Sequence, residues 1–275
     1  MELQGRTVLL TGAAGGIGTA IAQLLAKKGM KLVLSGRREA PLEELRASLF
    51  GDGHVVVTAD LGVRAETLGL IPKVEAAAGP VDLLVNNAGI EVSAEFHKLS
   101  VADLDNIMEI NIMAPMLLTH AVIPGMLERG RGHVVQMSSI AGLAGGACGE
   151  PYAASKGGLV KFTESLRATY LNTPLTFSTV CPGFSTGGGM YSRMLDAGHS
   201  SNAFLGNTTV DDVAAAVVRG TEKNVPLILC NNRPVRPLAG LTTLTPRVAE
   251  KILERSGANQ IFRDLAADRE AGVEI

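Results

Sequence analysis

Seven short runs of β-branched and apolar residues, each separated from the next by a helical pattern, constrain this chain more than any other feature. They are "RTVLLTG" (6–12), "KLVLSG" (31–36), "HVVVTAD" (54–60), "VDLLVNNAG" (81–89), "GHVVQMSS" (132–139), "LTFSTVCPG" (175–183) and "VPLILCN" (225–231). Polar and apolar residues do not alternate within them, so both faces of each strand must be covered. That is the signature of a parallel sheet flanked by helices. Helical patterns fill the gaps at 16–29, 39–50, 63–78, 100–130 (broken near Asn111), 151–172 and 209–222. Parallel crossovers are right-handed, so the expected fold is α/β, a doubly wound parallel seven-stranded sheet with helices on both faces. Ligands of such sheets bind beyond the carboxyl ends of the strands.

The 275 residues, 46% hydrophobic and 19% charged, suffice for one large core. Residues 1–231 read as one nucleotide-binding domain that includes the catalytic site and substrate lid, and 232–275 as its C-terminal helical extension. A formal net charge of -2 gives no general attraction for nucleic acid. Cys148, Cys181 and Cys230 are far apart and form no C-x-x-C, which argues against a disulfide framework or a metal site. The first residues run into a strand without a basic, apolar leader, so the expected location is the cytoplasm. Ile110–Leu127 carries no charge, but it contains Asn111, Pro115, His120 and Pro124 and reads as a buried or interface helix.

The first strand leads into Thr11-Gly12-Ala13-Ala14-Gly15-Gly16-Ile17-Gly18. Gly12, Gly15, Gly16, Ile17 and Gly18 provide a tight turn, a close backbone approach and a helix N-terminus, which together suit a pyrophosphate. Further along come Asn86-Asn87-Ala88-Gly89, Asn111, Ser139 and Tyr152-Ala153-Ala154-Ser155-Lys156. In that order and at those spacings, from residue 5 to about 231, the chain resembles the short-chain dehydrogenase/reductase family, in its shorter soluble branch on the Rossmann fold.

The resemblance implies an oxidoreductase that moves hydride between a nicotinamide and a carbonyl or alcohol. Tyr152 would exchange the proton with the substrate oxygen, and Lys156, one helical turn along, would favour its phenolate and hold the nicotinamide ribose. Ser139 would hydrogen-bond the substrate oxygen, with Ser138 turned away by strand alternation, and Asn111 would retain a water in a proton relay. The backbone of Asn87, Ala88 and Gly89 would line the adenine ribose side. Pro182 and Gly183 match the family's Pro-Gly; the threonine that would contact the carboxamide, Thr186, comes one residue early. By the same resemblance the long helices would form a homotetramer or homodimer interface.

Cofactor choice turns on the end of the second strand. An acid there would hold a ribose 2′-hydroxyl and favour NAD. Ser35-Gly36-Arg37-Arg38 offers instead room and positive charge for a 2′-phosphate, so the expected cofactor is NADP, through Arg37. Asp60 reaches the adenine edge or, alternatively, caps the next helix.

Other readings are a non-catalytic NADP-binding sensor or scaffold, and a serine hydrolase with Gly183-Phe184-Ser185-Thr186-Gly187 as a G-x-S-x-G elbow. The hydrolase needs an acid and then a histidine downstream, and the only later histidine, His199, lies three residues after Asp196. Gly187-Gly188-Gly189 suggests a flexible substrate lid, and Met190, Tyr191, Met194, Leu195, Phe204 and Leu205 make that lid apolar, favouring a lipophilic substrate. The tail carries an apolar stripe, Leu238, Leu241, Leu244, Val248, Ile252 and Leu253, among five basic residues. Packing near the lid is the favoured reading, and contact with a membrane surface the alternative.

Overall fold

The computed structural model describes residues 1–200 and 205–273; Phe204 lies outside the described residues. Seven parallel strands form one sheet: β1 (Thr7–Thr11), β2 (Lys31–Ser35), β3 (Val55–Val56), β4 (Leu83–Asn86), β5 (Gly132–Met137), β6 (Leu175–Pro182) and, last in the chain, β9 (Leu227–Cys230). Their spatial order is β3-β2-β1-β4-β5-β6-β9. The order reverses between β1 and β4, and a crevice opens there at the carboxyl edge. Two further strands, β7 (Ser185–Thr186) and β8 (Thr208–Thr209), pair with each other in parallel beyond that edge.

Burial on both faces follows from the strand sequences. Val8 and Leu10 of β1 face one core with Ile21 and Leu25 of α1 (Gly16–Lys27), Leu42 of α2 (Glu39–Ser48) and Val213 of α8 (Val210–Lys223). Leu9 faces the other core, with Leu70 of α3 (Arg64–Ala78) and Leu118 of α5 (Ala114–Glu128). At about 25 cal/mol per Å² of apolar surface, each fully buried leucine contributes roughly 1.5–3 kcal/mol. The expected third strand is shortened to Val55–Val56 because it lies at the sheet edge, although Val57 and Ala59 still donate to Leu34 and Gly36 carbonyls.

The long apolar helical stretch divides at the expected place. α4 (Val101–Met108) passes through a π-helical turn, Glu109–Met113, into α5, so Asn111 sits in the widened turn. Val101–Glu128 is long and apolar enough to cross a membrane, but half of its most apolar window is buried within the fold. Ser100 begins α4 with a reciprocal capping box to Asp103. α6 (Glu150–Thr169) lies beside it on the same side of the sheet, with Pro151 in its first turn. The tail forms α9 (Arg236–Leu244), α10 (Pro246–Arg255) and α11 (Gln260–Glu270), with Pro246 opening the second of these. α7 (Met190–Asp196) lies between β7 and β8 in the chain and packs on α11 through Tyr191, Met194, Ile261 and Leu265.

Candidate active site

A single cavity of about 460 Å³ runs along the carboxyl edge of the sheet. Ser35, Gly36, Arg37 and Asp60 line one end, the glycine loop its middle, and Ser139, Tyr152 and Lys156 its inner part. Two loops are fastened together at the switch point. Thr11 Oγ1 accepts from the backbone N–H of Asn87 at 3.0 Å and of Ala88 at 3.1 Å. Asn87 Nδ2 donates back to the carbonyls of Thr11 and Gly12 at 3.0 and 3.1 Å. Asn86 instead faces the core, where it donates to Gln136 Oε1 at 3.1 Å.

The loop fits a dinucleotide pyrophosphate. α1 begins after Gly15 and has no acidic residue in its first turn, so its N-terminal amides are not neutralised locally. Gly12, Gly15, Gly16, Ile17 and Gly18 all line the cavity, as do Asn87, Ala88, Gly89, Pro182 and Gly183. Asp60 lines it too, while its Oδ1 accepts from Gly62 N–H at 2.9 Å. The N-cap of α3 is Val63, so Asp60 is not that helix's cap.

Small residues bring the catalytic candidates together. The chain leaves β5 through Ser138 and Ser139 into a short turn, Ile140–Gly142, that lies directly on α6. A methyl on Gly142 would come within 2.6 Å of the Lys156 carbonyl carbon, so only glycine permits this approach. Ser138 turns away as expected and donates to the Lys156 carbonyl at 2.7 Å, locking strand to helix. Ser139 faces the cavity, accepts from Ala141 N–H at 3.1 Å, donates to the Pro182 carbonyl at 3.5 Å, and lies close enough to Tyr152 to act on its phenol.

Electrostatics at Tyr152 differ from the expected phenolate support. Burial and the neighbouring Glu91 carboxyl hold the phenol above its ordinary range, with the Ser139 hydroxyl pulling the other way. The Lys156 Nζ lies 5.7 Å from the Tyr152 ring centroid and donates to the Met137 carbonyl at 2.8 Å. Burial pushes that ammonium down to about 8. Desolvation therefore dominates at Tyr152, and its phenol is held protonated.

Asn111 gains a structural duty, and Thr186 lies elsewhere than expected. Asn111 is fully buried, and its side chain grips Ile90, accepting from its N–H at 2.9 Å and donating to its carbonyl at 2.8 Å. It also donates to Ser155 Oγ at 3.2 Å, so it fixes the cavity wall from behind. Thr186 does not line the cavity; its hydroxyl donates to the Thr208 carbonyl at 3.1 Å in the β7–β8 pair. Strand alternation turns the preceding residue, Ser185, to the cavity in its place.

The three lid glycines have a structural duty beyond flexibility. Gly187, Gly188 and Gly189 adopt φ of +97°, +140° and +87°, which L side chains rarely adopt. The segment also rests on the cofactor loop, where a methyl on Gly16 would come within 2.7 Å of Gly188 Cα. Met190, Tyr191, Met194 and Leu205 line the cavity as the lid was expected to. Leu238, Leu253 and Phe262 of the tail join them, while Leu244 and Val248 stay on the outer surface. Nothing local in the sequence points to Phe262, whereas Glu91, which also lines the inner cavity, falls in the 90–97 segment that follows the fourth strand and is a candidate pocket wall.

A parallel sheet with this switch point, glycine loop and Tyr–Lys helix defines a Rossmann-fold oxidoreductase of the NAD(P)-using type. Residues 6–194 match the family described as short chain dehydrogenase, and the chain belongs to that family. It is 34% identical to ketoacyl reductase HetN of a Nostoc species over 263 residues, covering 95% of this chain and 89% of that protein. It is 36% identical to 3-oxoacyl-acyl-carrier-protein reductase FabG of Rickettsia typhi over 184 residues, which are 67% of this chain and 74% of that one. A solved short chain dehydrogenase/reductase family protein superposes with a TM-score of 0.74 at 28% identity, covering 84% of this chain and 97% of that one.

Proposed function

We propose that this protein is an NADP-dependent reductase of a lipophilic carbonyl compound, with Tyr152, Ser139, Lys156 and Asn111 as its working residues. One observation carries the reading: a single cavity joins Arg37, the glycine loop and the Ser139–Tyr152 pair beneath an apolar roof. NADPH, when bound, supplies the hydride that reaches the carbonyl carbon. Ser139 and Tyr152 hold the carbonyl oxygen, and Tyr152 gives it a proton, yielding the alcohol. A phenol kept protonated by burial is in the form that this donation requires. Lys156 would hold the ribose hydroxyls, and its ammonium would stabilise the negative charge left on the phenol as the proton leaves. Asn111 positions Ile90 and with it the wall facing Tyr152.

The roof residues Met190, Met194, Leu205, Leu253 and Phe262 support an apolar substrate body, in keeping with relatives named as reductases of acyl compounds. The tail is assigned to this roof rather than to a membrane. Retention of both Tyr152 and Lys156 in the cavity favours an enzyme over a sensor or scaffold. Among the described residues the hydrolase reading finds no base at Ser185, whose Oγ donates to the Gly183 carbonyl at 3.2 Å, while His199 hydrogen-bonds Asp268 of α11 at 2.7 Å and does not line the cavity. Three free cysteines, all buried, suit the cytoplasm.

For the cofactor, Arg37 is exposed at the cavity end where the adenine ribose falls, with no carboxylate at the end of β2. The expected result is preference for NADPH over NADH in wild type and a preference at least about tenfold smaller in Arg37→Ala, as loss of a charge-assisted hydrogen bond implies. Titration of both nucleotides by fluorescence reads it; equal wild-type affinities overturn the assignment.

A homotetramer or homodimer is proposed through α5 and α6, where Met116, Leu117 and Phe162 stay half-buried in the single chain. Light scattering at micromolar concentration is expected to give a multiple of the 28.6 kDa chain mass, and a strict monomer refutes it.

A further inference from the structure

Glu91 lines the inner cavity and takes no part in the chemistry derived above. Its backbone is fixed, because Asn111 holds both polar groups of the neighbouring Ile90. Its side chain reaches across to the start of α6, where a methyl on Gly149 would lie 3.7 Å from Glu91 Oε1. It is near enough to Tyr152 and Lys156 for its charge to act on both. The nearby Ser93 hydroxyl favours its ionised form. Lys156 does not form an ion pair with it, since that ammonium is held by the Met137 carbonyl at 2.8 Å.

A carboxyl without an ion pair, set beside an apolar cavity, costs free energy unless a ligand group completes its hydrogen bonding. Burial raises it to about 7, so near neutrality both its protonated and ionised forms are present. The ionised form accepts hydrogen bonds and repels anions; the neutral form still accepts through its carbonyl oxygen. Either form suits a hydroxyl. The ionised form opposes a second carboxylate.

We infer that Glu91 is a specificity-determining residue that receives a substrate hydroxyl next to the reacting carbonyl and turns away substrates bearing a carboxylate there. The inference rests on the carbonyl reduction proposed at Tyr152. The substrate class is then a neutral α-hydroxy ketone with an apolar body, its chain lying under Met194, Leu253 and Phe262.

The test uses the full chain and three medium-chain substrates matched in length: a methyl ketone, its α-hydroxy ketone and the corresponding α-keto acid. NADPH oxidation gives kcat/KM for each. In wild type the hydroxy ketone is expected to exceed the keto acid by at least about a hundredfold, because two carboxylates set side by side repel. In Glu91→Gln, which removes the charge and keeps the shape, that ratio is expected to fall at least about tenfold, through a gain for the keto acid. NADPH affinity, read by fluorescence, checks that the variant is folded. A wild type that reduces ketones but favours the keto acid or shows no preference overturns the inference by itself, whatever the variant does. A folded variant with an unchanged ratio also overturns it. If wild type reduces none of the three, the carbonyl-reductase reading fails, and this inference with it.

Discussion

Tyr152→Phe is expected to lower turnover by about 10²–10⁴, the range for loss of a positioned proton donor, while NADPH still binds. The phenol is held on α6 between Ser139 and the cavity, and the ring itself needs no hydroxyl to pack. Phenylalanine therefore keeps the wall and removes only the transferable proton. Steady-state rates and a parallel nucleotide titration separate the two effects. Retention of more than about a tenth of the wild-type rate would falsify the acid assignment.

The placing of Tyr152, the proposed proton donor, was legible in the sequence because local rules decide it. Tyr152 and Lys156 are four residues apart on one helix, so they share a face wherever the helix packs. The glycine loop was legible for the same reason: it joins a first strand to a first helix, and its geometry depends on few distant contacts. The seven strands also followed from local pattern, although their ends came out shorter, most of all in β3 at the sheet edge, where no outer neighbour extends the ladder.

What the sequence did not reveal depends on distant segments meeting. Asn111 lies in a helix, and nothing local shows that its amide clamps Ile90, twenty-one residues away. Ser185 and Thr186 differ only in which way a two-residue strand faces, and pairing with Thr208 and Thr209 decides that. Phe262 enters the roof because α11 packs on α7, a contact nearly seventy residues apart in sequence. Lys156 illustrates the other kind of difference. Its position was foreseen, but its effect on the phenol depends on burial, which no spacing rule supplies.

The second large effect belongs to the cofactor loop and contrasts two glycines that line the same cavity. A methyl on Gly18 would fall within 2.7 Å of the Ala13 carbonyl oxygen, and closer still to that of Gly12. Both obstacles are backbone, so the turn itself must open, and the helix N-terminus moves away from the pyrophosphate. A methyl on Gly36 would meet only the Leu42 side chain, at 3.7 Å, an ordinary contact. Gly18→Ala is therefore expected to weaken NADPH binding by at least about a hundredfold and to lower stability by about 1–3 kcal/mol, as overpacking does. Gly36→Ala should leave stability within about 0.5 kcal/mol of wild type, since it forces no backbone shift. Thermal melts with and without NADPH measure both quantities. The loop assignment is wrong if Gly18→Ala retains the nucleotide-dependent rise in Tm, because a loop that tolerates the methyl is not pressed against its own turn.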